Sequence, residues 1–147
     1  MLLASDVLIH FPTPAEVVAL NAHVLGRSHP PPLEKEFLGK CSRMLSSIEN
    51  YTANSPGVTV GYISATLLTR IIKSRIFKNG NKRTAVLASI SYLIANCFLP
   101  PPEALEEKGA LFQLTIKIAS NLISDDDVPL EFLPIFEKNH IFDAGLK

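Results

Sequence analysis

"RIFKNGNKRT", residues 75 to 84, is the segment on which the prediction of the fold depends. It holds four of the 14 Lys and Arg residues, contains no acid and runs directly into a long apolar helical pattern. The first turn of a helix normally favours Asp or Glu, because its backbone N–H groups carry partial positive charge. Lys82 and Arg83 are therefore unfavourable there by about 0.3–1 kcal/mol each, unless an anion lies beside them.

The same segment has the features of a phosphate-binding turn. Gly80 allows the backbone to turn tightly and to approach a ligand closely. The amides that follow it open a helix and have no intrahelical acceptors, which makes an anion site. We therefore predict that phosphate binds to Gly80, Asn81, Lys82 and Arg83. The residues alone leave a second interpretation open, in which this is a solvated basic turn.

The composition of the chain is that of a globular protein with a locally uneven charge. Its 147 residues predict a single domain with a real core. Hydrophobic residues make up 47% and charged residues 19%, and the formal net charge is zero, which gives no global case for nucleic-acid or membrane binding. No acid occurs between Glu49 and Glu103, and that interval contains Arg70, Lys73, Arg75, Lys78, Lys82 and Arg83. This basic patch is short and matches no nucleic-acid recognition motif.

The cysteines favour a cytoplasmic protein, and we expect neither a signal peptide nor a membrane span. Cys41 and Cys97 lie in apolar helical patterns and form no disulfide framework or metal motif, so we expect buried thiols. The N-terminus "MLLASDVLIHF" lacks the basic region of a signal peptide. The uncharged run from Thr84 to Pro102 has an apolar part shorter than the roughly 20 residues that span a bilayer.

Hydrophobic spacing predicts six helices. Thr13 is the expected N-cap of the first, with Pro14 at its first position, Glu16 completing a capping box and Gly26 as its stop. The second and third are indicated by apolar residues at helical spacing, which are Leu33, Phe37, Cys41, Met44, Leu45 and Ile48, and then Ile63, Leu67, Ile71 and Ile72. The break between them is "NSPGVT", residues 54 to 59.

The later helices surround a predicted central one. The helix from Asn81 to Phe98 is apolar nearly all round, so we expect it at the centre of the fold. A fifth helix fits the segment from Leu111 to Ile123. Asp127 and Pro129 offer cap and first-turn chemistry for a sixth, which Pro134 is expected to interrupt, and residues 1–12 are expected to form an extended arm or a short strand.

The basic segment resembles the central motif of the Fido superfamily, the Fic and Doc proteins. That motif is His-x-Phe-x-Asp/Glu-Gly/Ala-Asn-Gly/Lys-Arg, and its positions are matched here by Phe77, Gly80, Asn81, Lys82 and Arg83. "NKRTA", residues 81 to 85, is typical of the smaller Doc branch, and "TPAEVVALNAHVLG" resembles the opening helix of that branch. The likeness runs from about Thr13 to Glu137. It implies an all-α, Fido-type bundle, with residues 1–147 as a single Doc-like domain.

Two positions depart from the motif. Arg75 stands where the family has its histidine, which serves as general base, and Asn79 stands where the family has the acid that holds a divalent metal. Arg stays protonated and cannot be that base, and a neutral amide oxygen is a poor anchor for Mg²⁺. We therefore assign no catalytic residue and no metal ligand. Arg75 is either a further phosphate ligand or a plain surface residue.

The remaining motif residues take their roles from the resemblance. Phe77 is expected to anchor the loop in the core. Asn81 is expected either to donate to a phosphate oxygen or to cap the helix. Lys82 and Arg83 are expected to pair with phosphate charge, Arg83 by a two-pronged contact, or else to be solvent-exposed charges.

No other residue is an obvious substitute for the missing base. His10, His23, His29 and His140 have no motif spacing. The acids at residues 125–127 are expected to belong to a helix start.

Two functions follow from the resemblance. One is a Doc-like toxin that transfers a phosphoryl group or a nucleoside monophosphate, as in AMPylation, from ATP or another nucleotide to a Ser, Thr or Tyr hydroxyl of a protein target. Such toxins are paired with an antitoxin. With the base and the metal-binding acid absent, we expect that activity to be impaired. The other function is a pseudoenzyme, an inactive Fido domain that binds a nucleotide or a protein partner.

Overall fold

The computed structural model describes residues 11–26, 35–55, 57–96, 98, 102, 106 and 109–137. Within these ranges the chain forms helices joined by turns, and no β-strand occurs there. The predicted all-α class is therefore confirmed for the described residues. The helices are α1 Pro14–Val24, α2 Lys35–Ala53, α3 Val60–Ser74, α4 Asn81–Ala95, α5 Ala110–Ala119 and α6 Val128–Glu137.

The first helix begins and ends as the sequence predicts. The Glu16 N–H donates to Thr13 Oγ1 at 3.2 Å, and the Thr13 N–H donates to Glu16 Oε1 at 3.2 Å, which completes the capping box. Pro14 occupies the first turn. At the other end Gly26 adopts a φ of 72°, in the left-handed region that favours glycine. These local signals therefore fix the bounds of α1.

Two helices, and not one, form the centre of the fold. α3 packs against α2, α4, α5 and α6, and α4 packs against α1, α3 and α5. On α3, Ile63, Leu67 and Ile71 have no exposed surface, whereas Ile94 of α4 is 53% exposed. The predicted central helix is α4, which shares the centre of the fold with α3. Its predicted end at Phe98 is wrong, since α4 stops at Ala95.

A buried hydrogen bond joins the two central helices. Ser64 Oγ on α3 donates to the carbonyl oxygen of Ser89 on α4 at 2.9 Å, and both residues are fully buried. The pattern of large apolar residues in the sequence did not reveal this bond, because serine gives a weak hydrophobic signal.

The last two helices differ from their predicted bounds. α5 ends four residues before Ile123, because Asn121 adopts a left-handed φ of 56° and the N–H of Leu122 donates back to Lys117 O at 2.9 Å, which is a Schellman end. α6 begins directly after Asp127, as predicted. Pro134 lies inside α6 and does not interrupt it, so that prediction is wrong.

The remaining described predictions concern burial. Cys41 is fully buried, and burial raises the pKa of its thiol to about 11, so it is a core residue of low reactivity. Cys97 and residues 1–10 lie outside the described residues. Phe11 packs edge-to-face on Tyr92 of α4, with ring centroids 5.8 Å apart. None of the helices in the described ranges has the length and apolar character needed to cross a bilayer.

Candidate functional site

A groove of about 680 Å³ lies where α3 ends, α4 begins and α5 passes alongside. It brings together six motif positions, which are the four predicted to bind phosphate and the two at which the sequence departs from the motif. One wall is the basic loop between α3 and α4 with the first turn of α4, and the facing wall belongs to α5. The groove is lined by Ile72, Arg75, Lys78, Asn79, Gly80, Asn81, Lys82, Arg83, Phe112, Thr115, Ile116 and Ala119.

The loop begins with a strained residue. Arg75 directly follows α3 and adopts a left-handed conformation, with φ 46° and ψ 44°. A non-glycine residue pays about 1–2 kcal/mol there, because Cβ approaches the carbonyl oxygen. This turn ends α3 without a glycine and leaves the guanidinium, which is exposed, on the edge of the groove.

The middle of the loop is anchored in the core. Phe77 is 7% exposed, and its ring lies 6.1 Å from that of Phe37 on α2. Ile76 is also buried. The expectation that Phe77 anchors the loop is confirmed, and two consecutive buried residues fix the backbone from which Lys78 and Asn79 project.

The side chain of Asn81 closes the loop upon itself. Its Nδ2 donates to the carbonyl oxygen of Phe77 at 2.7 Å, and its Oδ1 accepts the Phe77 N–H at 3.1 Å. Gly80 is the N-cap of α4 and Asn81 is the first helical residue, so the alternative of Asn81 as the helix cap is wrong. An Asn amide has two N–H donors, and one of them is left over for a phosphate oxygen.

A buried asparagine of α1 holds the loop from behind. Asn21, 6% exposed, donates through Nδ2 to the Asn79 carbonyl oxygen at 2.9 Å and to Thr84 Oγ1 at 3.1 Å. These two bonds tie α1 to both the loop and α4. The sequence contained one signal of this role, a polar residue on the apolar face that carries Val17 and Val18, but nothing that named its partners.

Gly80 is required by packing as well as by conformation. Its φ is 77°, and a Cβ added to it would lie 3.2 Å from Val24 Cγ1, 3.3 Å from Asn21 Nδ2 and 3.3 Å from Leu25 Cδ2. These distances therefore show that the loop at Gly80 lies close to the end of α1. The sequence had suggested a close approach between Gly80 and a ligand.

The start of α4 has free donors. The N–H groups of Asn81, Lys82 and Arg83 have no intrahelical acceptors, and no side chain caps this end. By contrast, α1 and α3 are capped by the hydroxyls of Thr13 and Thr59. The groove thus faces unpartnered backbone amides and the positive end of a helix dipole.

The basic residues divide into two sets. Lys73 forms an ion pair with Asp125, and Arg70 lines a second groove together with Asp125 and Asp126. Within the ranges that the structure describes, the four cations of the first groove have no carboxylate at ion-pair distance. These four are Arg75, Lys78, Lys82 and Arg83. Lys73 is thus compensated by a carboxylate, whereas the four cations of the first groove have charge available for an anionic ligand.

The facing wall is mostly apolar. Phe112, Ile116 and Ala119 of α5 line it, and Ile116 is 47% exposed. The Thr115 hydroxyl donates to the Phe112 carbonyl oxygen at 2.6 Å, which satisfies the one polar side chain of this wall. No sequence signal linked α5 to the basic loop, because the two are far apart along the chain and meet only in the folded protein.

The described residues of the groove do not include the side chains that most often act as a general base. Its lining contains neither a histidine nor a carboxylate. His23 is exposed near the end of α1 and does not line the groove. His10, His29 and His140 lie outside the described residues.

Comparison with protein-family models and with curated proteins gives no match. No protein-family model matches the chain, and no curated protein matches it either. The arguments for function therefore come from the groove and from the motif in the sequence.

Replacement of the two left-handed glycines should separate strain from packing. Gly80→Ala and Gly26→Ala both place a Cβ at positive φ, at about 1–2 kcal/mol each. Only Gly80→Ala also crowds α1, because a Cβ at Gly26 has no neighbour within 4 Å. Overpacking should add about 1–3 kcal/mol. Urea unfolding of both variants measures the difference, and equal losses would contradict the packing role of Gly80.

The strain at Arg75 should be measurable by its removal. Arg75→Gly should raise the free energy of unfolding by up to about 1 kcal/mol, because relief of the left-handed strain exceeds the added chain entropy of glycine. Lys78→Gly is the matched control, since it removes a cation of the same loop at a residue without positive φ. It should not stabilise the protein. An Arg75→Gly variant less stable than Lys78→Gly would show that the arginine side chain itself supports the fold.

Proposed function

We propose that the groove binds a nucleotide, with the phosphates at the start of α4 and the base against α5. The observation that carries this proposal is the pairing, in one groove, of an acid-free cationic wall and an apolar wall. A phosphate group needs positive charge and N–H donors, whereas a base needs a flat or apolar surface. Inorganic phosphate would use only half of this groove.

Several contacts support the phosphate half of the proposal. Lys82 and Arg83 stand in the first turn of α4 beside its free amides, where a bound anion would turn their unfavourable position into a favourable one. Gly80 contributes backbone, Asn81 has a spare donor, and a guanidinium can contact two phosphate oxygens at once. Arg75 lines the same groove, which favours a phosphate ligand over a plain surface residue as its role.

We further propose that the chain is a Fido-type domain of the Doc branch that has kept ligand binding and lost most of its catalytic activity. Transfer to a protein hydroxyl requires its oxygen to attack phosphorus while its proton passes to a base and the remaining phosphates leave. The described groove offers cations and amides for the phosphates, but neither a histidine nor a carboxylate to accept that proton. A nucleotide-binding or protein-interaction module therefore accounts for these residues better than an active toxin does. An antitoxin or a former protein target is the kind of partner that such a module would keep.

Nucleotide binding should depend on the first turn of α4. Lys82→Ala and Arg83→Ala should each weaken binding of ATP, measured by calorimetry, because each removes a charge-assisted contact of about 1.5–3 kcal/mol. That corresponds to a loss of about tenfold to a hundredfold in affinity. Arg70→Ala is the matched control, since it removes a cation that lines the other groove.

The outcomes of this experiment separate three situations. Loss of binding in the two α4 variants with retention in Arg70→Ala supports the proposal. Equal weakening in all three variants would indicate a diffuse charge effect. Unchanged binding in the Lys82→Ala, Arg83→Ala double variant would contradict a phosphate site at the start of α4.

The transferase hypothesis has its own test. Each variant is incubated with labelled ATP and a cell lysate, and labelled proteins are detected on a gel. The original chain should label little, because loss of a general base commonly lowers a rate by about 10²–10⁴. Arg75→His combined with Asn79→Asp should raise labelling, because it supplies a base and a metal-binding acid at the motif positions. Arg75→His alone should raise labelling less, since it supplies a base without the metal-binding acid of the motif.

Strong labelling by the unmodified chain would contradict the proposed loss of catalysis. It would also show that a base comes from a residue that does not line the described groove. The double variant's thermal unfolding curve is the control for folding.

A further inference from the structure

The metal ion that the Fido resemblance implies does not fit the residues of this groove. Mg²⁺ in phosphate sites is held by one or two carboxylates together with phosphate oxygens. The groove has no carboxylate among its lining residues, and the described part of the chain contains no cluster of His, Cys, Asp and Glu side chains able to hold a metal. Asn79, at the motif's acidic position, has a neutral side chain.

The backbone carbonyl at this position already accepts a hydrogen bond. The carbonyl oxygen of Asn79 accepts the hydrogen bond from Asn21 Nδ2 at 2.9 Å. That bond holds the loop against α1. This carbonyl oxygen thus already serves the structure of the loop, and the other oxygen of Asn79, in its neutral side-chain amide, is a poor anchor for Mg²⁺.

The cations of the groove can take over the electrostatic task of a metal. A divalent ion in a phosphate site neutralises the negative oxygens and bridges them. Here Arg75, Lys78, Lys82 and Arg83 line one groove with no carboxylate to compensate them. Four positive side chains beside the positive end of α4 would repel a free Mg²⁺ ion and attract a bare polyphosphate.

We infer that the groove binds the polyphosphate of a nucleotide in its metal-free form, and that the Mg²⁺ complex is not the preferred ligand. This inference rests on the proposed function and specifies the chemical form of its ligand. Chelation by Mg²⁺ removes two negative charges from the nucleotide and adds a hydrated ion that keeps several of its waters. Both changes act against binding in a groove whose side chains are already cationic.

The test compares two buffers of equal ionic strength, since salt screens such contacts. ADP and ATP are titrated into the full chain by calorimetry, once with EDTA and once with saturating MgCl₂. The expected result is a higher affinity in EDTA than in MgCl₂. An affinity in MgCl₂ equal to or higher than that in EDTA overturns the inference and leaves the proposed nucleotide site standing. Absence of binding in both buffers overturns the proposed function, and the inference with it.

A substitution at one residue should reverse the preference. Asn79→Asp places a carboxylate in the cationic wall, so it should weaken binding in EDTA and make MgCl₂ favourable, with at least a tenfold change in the ratio of the two affinities. Asn79→Ser is the matched control, because it changes the side chain without adding charge, and its ratio should stay near that of the original chain. A ratio unmoved by Asn79→Asp, in a variant that unfolds at the temperature of the original chain, overturns the inference. Should Asn79→Asp fail to fold, the comparison of buffers on the original chain decides.

Discussion

The left-handed backbone at Gly80, packed against the end of α1, determines where α4 begins. Three side-chain atoms of α1 lie within 3.3 Å of the position that a Cβ would occupy. Because the chain passes so close to α1 at this point, Asn21 reaches both the loop and Thr84. The first turn of α4, with its free amides and its two cations, is thereby held beside the end of α3. The first turn of α4 takes its position from this contact, whereas Phe77 anchors the middle of the loop.

The loop and the helix start that follows it combine two energetically unfavourable features. Arg75 is a non-glycine residue at positive φ, and the α4 start carries Lys and Arg where acids are favoured. The first costs energy whether or not a ligand is bound, whereas a bound anion would make the second favourable. Their coincidence in one groove, with no compensating carboxylate among the lining residues, is the physical basis for the proposed phosphate site. Lys73 lies only two residues before Arg75, but its charge is compensated by an ion pair with Asp125. The groove cations lack such a partner among the lining residues.

Local signals in the sequence predicted local structure well. The capping box of α1, the break before α3 and the start of α4 follow from side chains that act within a few residues of themselves. Features that depend on distant parts of the chain could not be predicted. The buried bond between Ser64 of α3 and Ser89 of α4 has no pattern in the sequence, and the apolar wall from α5 joins the groove only through the fold. Pro134 was misjudged because the effect of a proline was taken alone, without the packing of Phe132 and Phe136 that holds α6 in place. The basic half of the candidate site was found from the sequence, whereas Asn21 and Phe112 were not.

The contacts that shape the loop are made by uncharged groups. Phe77 is held by the core, Asn81 bonds the backbone of Phe77, and Asn21 bonds the backbone of Asn79. The cations that line the groove take no part in this scaffold. Ligand preference and fold are therefore separately adjustable: exchange of the charged side chains would change what the loop selects while the frame beneath it stays intact. The position at Asn79 has the same freedom, because only its backbone is used, and a single substitution there would be enough to move the groove from one kind of anion to another.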